Sequence, residues 1–217
     1  MLYNFSQESK TPFAPGLKYF IAEAHVNDPN LELNLLKEEI LSKEKEIINS
    51  TEFVSDWGTR MGKKSLTSRA NDYNLLNFNS TKVLKDAISY FHSVYVESCG
   101  EKLESENYYV QCWANVMRHR EKIYPHKHSG DPYSYISGHV CLQVENTSTY
   151  YIHPFNDQVW SSVNLPNKIT LFPSFIMHYT DPVPKGQTRI TVAFDIITEE
   201  AYKLYADVYK DSTFIKL

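Results

Sequence analysis

The sequence predicts an α+β fold in which two helices support a β-rich second half, arranged as an antiparallel barrel or jelly-roll. Three observations favour this class. Apolar residues recur at helical spacing in two segments of the first half, they alternate with polar residues after residue 107, and turn-forming residues separate the alternating segments. The 217 residues suit one domain. We expect mainly helical support and short strands over 1–107, the jelly-roll core over 108–198, and a C-terminal helix and tail over 199–217. The N-terminal helices should pack on the outer face of a sheet.

Two amphipathic helices are predicted in the first half, over Asn30–Asn49 and Ser80–Ser98. Each follows a short polar residue, Asp28 or Asn79, whose side chain can accept hydrogen bonds from the free N–H groups of a starting helix. The segment 54–77 mixes Gly, Ser, Thr and Asn with isolated aromatic residues. It therefore predicts loops and one or two short strands.

Several segments of the second half alternate with a period of two residues and predict strands. They are Tyr108–Met117, Ile136–Glu145, Thr149–Pro154, Lys168–Pro173 and Arg189–Ile197. Turn residues separate them, as at 129–132, 154–157 and 185–186, and such short connections fit antiparallel pairing better than parallel crossovers. A short helix is predicted after the last strand, over Glu199–Tyr209.

Three of the predicted strands have one apolar face and one polar face of unusual composition. The polar faces include Gln111, Trp113, Asn115, Ser137, His139, Cys141, Arg189, Thr191 and Asp195. Solvent-exposed faces of sheets are usually rich in Lys and Glu, which are nearly missing from these positions. We therefore favour a cavity inside the barrel lined by the polar faces, with helices covering the apolar ones. The alternative is a sandwich with one solvated side.

Composition and charge argue against several classes of protein. The net charge is −4 and Lys and Arg form no dense run, so a nucleic-acid partner is not favoured. No apolar stretch reaches about 18 residues and the N-terminus does not resemble a signal peptide, so we expect no membrane association and a cytoplasmic location. Cys99, Cys112 and Cys141 are widely spaced and odd in number, which argues against a disulfide framework or a zinc knuckle.

Histidines cluster in a way that suggests a metal site. His126 and His128 are two residues apart, so on an extended strand both rings project to one face while Lys127 points away. His178 ends the apolar run 171–178, where an isolated imidazole needs a partner. The alternatives are a surface pair for the first two and a hydrogen-bonded core histidine for the third.

Arg189 opens an otherwise apolar strand and follows His178 by 11 residues, after a turn-rich connection. A hairpin there would bring the two side chains close together. A guanidinium at the edge of a buried strand needs an anion, and its planar fork suits a carboxylate held by two hydrogen bonds. Thr191 lies on the same face and can add a hydroxyl to that carboxylate. A structural Asp or Glu partner for Arg189 is the alternative.

Taken together, these motifs resemble the iron(II) and 2-oxoglutarate-dependent oxygenases of the bacterial and bacteriophage type. The likeness spans most of the chain, and its order and spacing are more specific than any single motif. It rests on the segments 112–116, 126–128, 135–142, 171–178 and 189–194.

The resemblance implies a double-stranded β-helix in which His126 and His178 bind Fe(II) and Arg189 binds the distal carboxylate of the co-substrate 2-oxoglutarate. The family pattern has a carboxylate two residues after the first histidine, where this chain has His128. Either three imidazoles bind the iron, or Asp131 swings in from the following loop. We favour His128 because strand geometry aims it correctly, whereas Asp131 sits in a turn before Pro132 that it would stabilise.

The resemblance also gives roles to other residues on the polar faces. Asn115 and His139 are candidates to hydrogen-bond 2-oxoglutarate, and Trp113 to form a wall of the pocket, although each is compatible with a structural role. The implied activity is hydroxylation of a small molecule or a protein side chain, with release of succinate and carbon dioxide. A homodimer is compatible with the sequence.

Two other functions are compatible with the pattern. A cupin-like dioxygenase with three histidine ligands and no co-substrate would explain His128 but leave Arg189 and Thr191 without a role. A non-catalytic jelly-roll binding module would bind neither metal nor 2-oxoglutarate. The substrate does not follow from the fold.

Overall fold

The computed structural model describes residues 1–50, 59–61, 66–67, 73–103, 105, 107–205 and 213–217. The helices in this part of the chain are α1 (Glu32–Ser50), α2 (Lys82–Ser98) and α3 (Glu199–Leu204), with a 3-10 turn at Leu75–Asn77. The strands are β1 (Leu2–Gln7), β2 (Leu17–His25), β3 (Tyr108–Met117), β4 (Ile136–Gln143), β5 (Ser148–Ile152), β6 (Val159–Val163), β7 (Lys168–Pro173), β8 (Met177–Thr180), β9 (Arg189–Thr198) and β10 (Ile215–Lys216).

The strands form two antiparallel sheets. The larger sheet has the order β1-β2-β7-β4-β9-β3-β10, and the smaller one has the order β6-β5-β8. Strands far apart in sequence are neighbours: the end of β2 pairs with the start of β7, and β3 pairs with β9 over its full length. This arrangement confirms the predicted α+β class with a β-helical core in the second half.

The predicted strands and helices occur close to their expected bounds, and several further strands were not predicted. β1, β2, β6, β8 and β10 are additional, and β1 and β6 are half-exposed edge strands whose sequences alternate weakly. The C-terminal helix ends at Leu204, five residues before its predicted end, and 206–209 lie outside the described residues. Much of the predicted loop segment 54–77 is likewise not described, although Leu66 forms a bridge to Val116.

The apolar faces of the larger sheet form the main core together with the two long helices. Leu36 and Ile40 of α1 and Ile88 of α2 are fully buried in the same cluster as Val192 and Phe194 of β9. Removing these apolar side chains from water is the principal stabilising contribution. The opposite faces of β3, β4 and β9 consequently point into the barrel, as predicted from their composition.

Each long helix begins at a carboxylate, but only one of the two caps was predicted. Asp28 accepts hydrogen bonds from the N–H groups of Glu32 and Leu33, both at 2.8 Å. At the start of α2, Asn79 provides no cap; instead Glu32 of α1 accepts from the N–H of Val83 at 3.2 Å. The cap of α2 is thus tertiary, which local sequence could not indicate. Among the described residues, none of the helices has the length and apolarity needed to cross a bilayer.

Gly138 on β4 allows the ring of Phe194 to lie across the strand. A Cβ atom at this position would lie 2.3 Å from Cζ of Phe194 and 2.6 Å from the carbonyl oxygen of Thr170. We therefore expect Gly138→Ala to lower the free energy of unfolding by about 1–3 kcal/mol, measured by urea denaturation. Gly130→Ala is the control, because its Cβ would meet only the flexible end of Lys127. Equal stability of the two variants would contradict this packing.

Buried His92 of α2 makes stability depend on pH. Its Nε2 lies 3.0 Å from the Tyr135 hydroxyl, and burial lowers the pKa of His92 from 6.5 to about 4. The unfolded chain therefore binds a proton first as the pH falls, so stability is full above about pH 6.5 and declines towards pH 4 by at most roughly 3 kcal/mol. We expect His92→Gln to remove this part of the acid sensitivity of the metal-free protein, measured by urea unfolding at several pH values. The control is His119→Gln at an exposed position, whose stability should depend on pH as that of the wild type does. If the stability of His92→Gln showed the same pH dependence as the wild type, the prediction would be wrong.

Candidate metal centre

Three imidazole rings converge at one end of the barrel, and each is positioned by backbone pairing. His126 and His178 exchange backbone hydrogen bonds of 3.1 and 2.9 Å, so the strand-like segment before β4 is held against β8. His128 donates its backbone N–H to the carbonyl of Ser174 at 3.0 Å. The ring centroids are 4.4 to 5.4 Å apart, and one ring nitrogen of each histidine lies within 4.8 Å of the others. The three predicted histidines are therefore brought together.

Hydrogen bonds at Nδ1 fix the tautomer of all three rings. Nδ1 of His126 lies 2.9 Å from the carbonyl of Tyr124, and Nδ1 of His178 lies 3.1 Å from the carbonyl of Ile176. For His128 the partner is a carboxylate oxygen of Asp195 at 2.5 Å. Carbonyls and carboxylates only accept, so each Nδ1 must donate its hydrogen. In a neutral ring this leaves the lone pair on Nε2, which is the form that binds a metal.

Burial keeps two of these rings uncharged. Burial, with the neighbouring histidines, lowers the pKa of His178 well below its usual value, and burial together with His128 lowers that of His126 to about 4. A protonated imidazole cannot bind a cation. At neutral pH the pair is thus already in the metal-binding state.

Asp195 contacts one of the three histidines, and the sequence assigned it no role. Its Oδ1 accepts from Nδ1 of His128 and from the hydroxyl of Ser137, both at 2.5 Å. Its position was visible, since it lies on the predicted polar face of β9 with Arg189 and Thr191. An acidic residue on a face that lines the cavity was the available indication in the sequence. Its contact with the His128 ring could not be predicted, because it depends on the conformation of the loop before β4.

Asp131, the alternative ligand, lies outside the group of converging rings. Its carboxylate accepts from the Ser129 hydroxyl at 2.9 Å and from the backbone N–H of Tyr133 at 2.7 Å. These bonds close the turn before β4, which is the structural role that the sequence allowed for it. The geometry favours His128 as the third ligand.

The histidines line one side of a cavity of about 230 Å³ inside the barrel. The other predicted site residues also line it: Trp113, Asn115, Asp131, His139, Arg189 and Thr191. Thr149 of β5 and Tyr135 before β4 line it too, although neither was predicted to do so. The polar faces thus meet around a single space, as the composition of the strands indicated.

Arg189 lies in this cavity as a buried cation without an acidic partner among the described residues. Its side chain is 3% exposed, Nη2 is 3.4 Å from Oγ1 of Thr149, and Nε and Nη1 have no hydrogen-bond partner there. Burial lowers the pKa of Arg189, so its charge is destabilised as the structure stands. By contrast, the buried Lys168 is paired with Glu23 at 2.9 Å. The structural partner considered for Arg189 is thus not found in this part of the chain, and an anionic ligand would fill its place.

Asn115, Thr191 and His139 line the same cavity as Arg189. They differ in whether their polar atoms have hydrogen-bond partners. Asn115 accepts from Thr67 at 2.6 Å and donates to Thr191 at 3.5 Å, so it orients the threonine hydroxyl as well as lining the cavity. His139 is fully neutral because burial, and then Arg189, lower its pKa well below the usual value. Its Nε2 has no hydrogen-bond partner among the described residues.

The chain resembles known proteins in its structure but not in its overall sequence. Neither a protein-family model nor a curated protein matches the sequence. Among solved structures, a prolyl hydroxylase from Trichoplax adhaerens, in complex with a peptide from hypoxia inducible factor, matches with a TM-score of 0.56 and 10% identity, over 85% of this chain and 86% of that chain.

Two further structures show the same likeness. A viral collagen prolyl hydroxylase from Paramecium Bursaria Chlorella virus-1, in complex with 2-oxoglutarate, matches with a TM-score of 0.51 and 11% identity, over 82% of this chain and 96% of that chain. The epimerase SnoN from nogalamycin biosynthesis, α-ketoglutarate-dependent and non-haem, matches with a TM-score of 0.54 and 10% identity, over 82% and 76% of the two chains. The chain therefore has the fold of the iron(II) and 2-oxoglutarate-dependent oxygenases, and the resemblance found in the sequence is confirmed at the level of the fold.

Proposed function

We propose that this protein is an iron(II)- and 2-oxoglutarate-dependent oxygenase that hydroxylates its substrate. The supporting observation is that three converging imidazole rings line the same cavity as a buried guanidinium that has no anionic partner among the described residues. His126, His128 and His178 would hold the metal, and Arg189 would bind the distal carboxylate of 2-oxoglutarate. The same fold supports many reactions, so the proposal depends on the site and not on the likeness alone.

The donor set fits a ferrous ion. Neutral imidazole nitrogens suit iron, and three protein ligands leave coordination positions for a bidentate co-substrate and dioxygen. When bound, iron and 2-oxoglutarate would supply the oxidising chemistry, in which one oxygen atom of dioxygen enters a C–H bond of the substrate and the other enters succinate, formed from 2-oxoglutarate with loss of carbon dioxide. The protein's own task is to fix the ligands, the co-substrate and the substrate relative to one another.

Arg189 and its neighbours would orient the co-substrate. Nε and Nη1 have no hydrogen-bond partner among the described residues, and either of them together with Nη2 forms a fork that suits the two oxygens of one carboxylate. Thr191 and Thr149 can add hydroxyl groups beside it, and the neutral His139 can share a hydrogen bond without adding a second charge. A buried carboxylate at this position would also offset the cost of burying Arg189.

The substrate would enter the same cavity as the co-substrate. Tyr133, Tyr135 and Tyr205 also line this cavity, so aromatic side chains form part of its wall. We propose a small molecule or a protein side chain as the substrate. One solved neighbour was crystallised with a peptide and another is an epimerase, so both classes occur on this fold.

Succinate production tests the proposed function. Purified protein loaded anaerobically with Fe(II) should convert 2-oxoglutarate to succinate on exposure to air, followed by NMR, even slowly and without a substrate. Calorimetry with Mn(II) in place of iron should show 2-oxoglutarate binding that requires the metal. Oxygen uptake that is independent of 2-oxoglutarate would favour a three-histidine dioxygenase instead. Binding of neither metal nor 2-oxoglutarate would leave only a binding module.

A further inference from the structure

We propose that Asp195 is a positioning residue of the metal centre, which supplies through His128 the negative charge that a directly bound carboxylate would otherwise provide. This inference rests on the metal-binding part of the proposed function of the same site. Asp195 does not belong to the group of three ligands; it lies behind one of them, in contact with the ring nitrogen opposite the metal-binding one.

His128 differs from the other two histidines in the partner of its Nδ1. His126 and His178 donate to uncharged backbone carbonyls, of Tyr124 and Ile176. His128 donates to a carboxylate at 2.5 Å. A charge-assisted hydrogen bond is shorter and roughly twice as strong as a neutral one, and it makes the opposite nitrogen a better donor to a metal. His128 should therefore be the most strongly electron-donating of the three.

A closed set of hydrogen bonds holds the carboxylate and the ring in place. Ser137 donates to Oδ1 of Asp195 at 2.5 Å, and the hydroxyls of Ser137 and Ser174 share a hydrogen bond of 2.8 Å. The carbonyl of Ser174 in turn accepts the backbone N–H of His128 at 3.0 Å. The histidine is thus fixed at its backbone and at its ring by one network, which limits rotation of the ring about its side-chain bonds.

The charge of the site gives the carboxylate a second role. Three neutral imidazoles leave the full charge of a divalent ion uncompensated, and Arg189 adds another positive charge to the same cavity. Asp195 supplies one negative charge and a dicarboxylate co-substrate would supply two, so the charges nearest the metal balance when the site is filled. Asp131 also lines the cavity, but both of its oxygens are occupied by the turn.

Metal affinity of Asp195 variants tests this role separately from catalysis. We expect Asp195→Ala to weaken Mn(II) binding, measured by calorimetry, by about 10–100-fold, which is the usual effect of losing such an outer partner. Asp195→Asn keeps an oxygen that can accept from Nδ1 but loses the charge. Its affinity for Mn(II) should therefore fall between those of the wild type and Asp195→Ala. At saturating Co(II), both variants should show shifted visible absorption bands. Exposed Glu200→Gln changes the net charge equally and should match the wild type.

Thermal unfolding of the metal-free variants separates positioning from folding. If Asp195→Ala does not fold, the isosteric Asp195→Asn decides. Unchanged Mn(II) affinity and Co(II) spectrum in a folded variant would overturn the role of Asp195. A wild-type protein that binds Mn(II) but forms no succinate would overturn the proposed function and leave the positioning role standing. A wild-type protein that binds no metal would overturn both.

Discussion

Replacing Arg189 with methionine is expected to abolish 2-oxoglutarate binding at ordinary concentrations while stabilising the ligand-free protein. Arg189 is 3% exposed and lacks an acidic partner among the described residues, so its charge is a cost until a carboxylate arrives. Removing one partner of a buried, hydrogen-bonded charge pair costs about 2–5 kcal/mol, which corresponds to a loss of affinity of roughly 30-fold to several thousand-fold. Calorimetric titration of the Mn(II)-loaded variant with 2-oxoglutarate measures this loss.

The stability of the ligand-free Arg189→Met variant is a second, independent test of the same prediction. Filling the position with an apolar chain of similar length should raise the free energy of unfolding of the ligand-free protein by about 1–4 kcal/mol. Lys168→Met is the matched control, because this buried cation has a partner in Glu23 at 2.9 Å. Its removal leaves a buried carboxylate unpaired and should destabilise by about 3–5 kcal/mol. If Arg189→Met destabilised the protein as Lys168→Met does, Arg189 would have a structural partner and the proposed co-substrate site would lose its main support.

Strands that are buried on both sides were predicted well from the sequence. β3 and β7 begin and end at the predicted residues, because an apolar face covered by helices and a polar face lining a cavity produce regular alternation. β1 and β6 are edge strands that are partly exposed, and their existence depends on pairing with β2 and β5. Pairing of that kind is a tertiary contribution, which local alternation does not show.

The identities of the predicted site residues and their convergence came from the sequence, but the contacts that hold them in place did not. Spacing brought His126 and His128 together on one face, and an isolated position in an apolar run suggested His178. The backbone bridge that joins His126 to His178 required β8, which was not predicted. Likewise, Arg189 was expected to need an anion, yet whether the chain supplies one depends on all the side chains around the cavity. The contact of Asp195 with His128 spans 67 residues and depends on how the loop before β4 folds back.

Removal of any one of the three histidines is expected to abolish metal binding at micromolar concentrations and, with it, succinate formation. For His126→Ala, His128→Ala and His178→Ala we expect losses of Mn(II) affinity larger than the roughly 10–100-fold expected for an outer partner, because a coordinating nitrogen itself is lost. The fold should survive, since the rings pack at the end of the barrel and not in the main helix-covered core. Circular dichroism checks the fold and calorimetry measures the metal.

Asp131→Ala is the control that decides which residue is the third ligand. Both of its oxygens are engaged within the turn 129–133, so its removal should loosen that turn and leave Mn(II) affinity near the wild-type value. The opposite pattern, in which Asp131→Ala loses the metal and His128→Ala keeps it, would mean that the loop rearranges to form a site with two histidines and a carboxylate. In that event Asp195 would have no ring to orient on the metal, and the same pair of titrations would therefore also remove the basis for its positioning role.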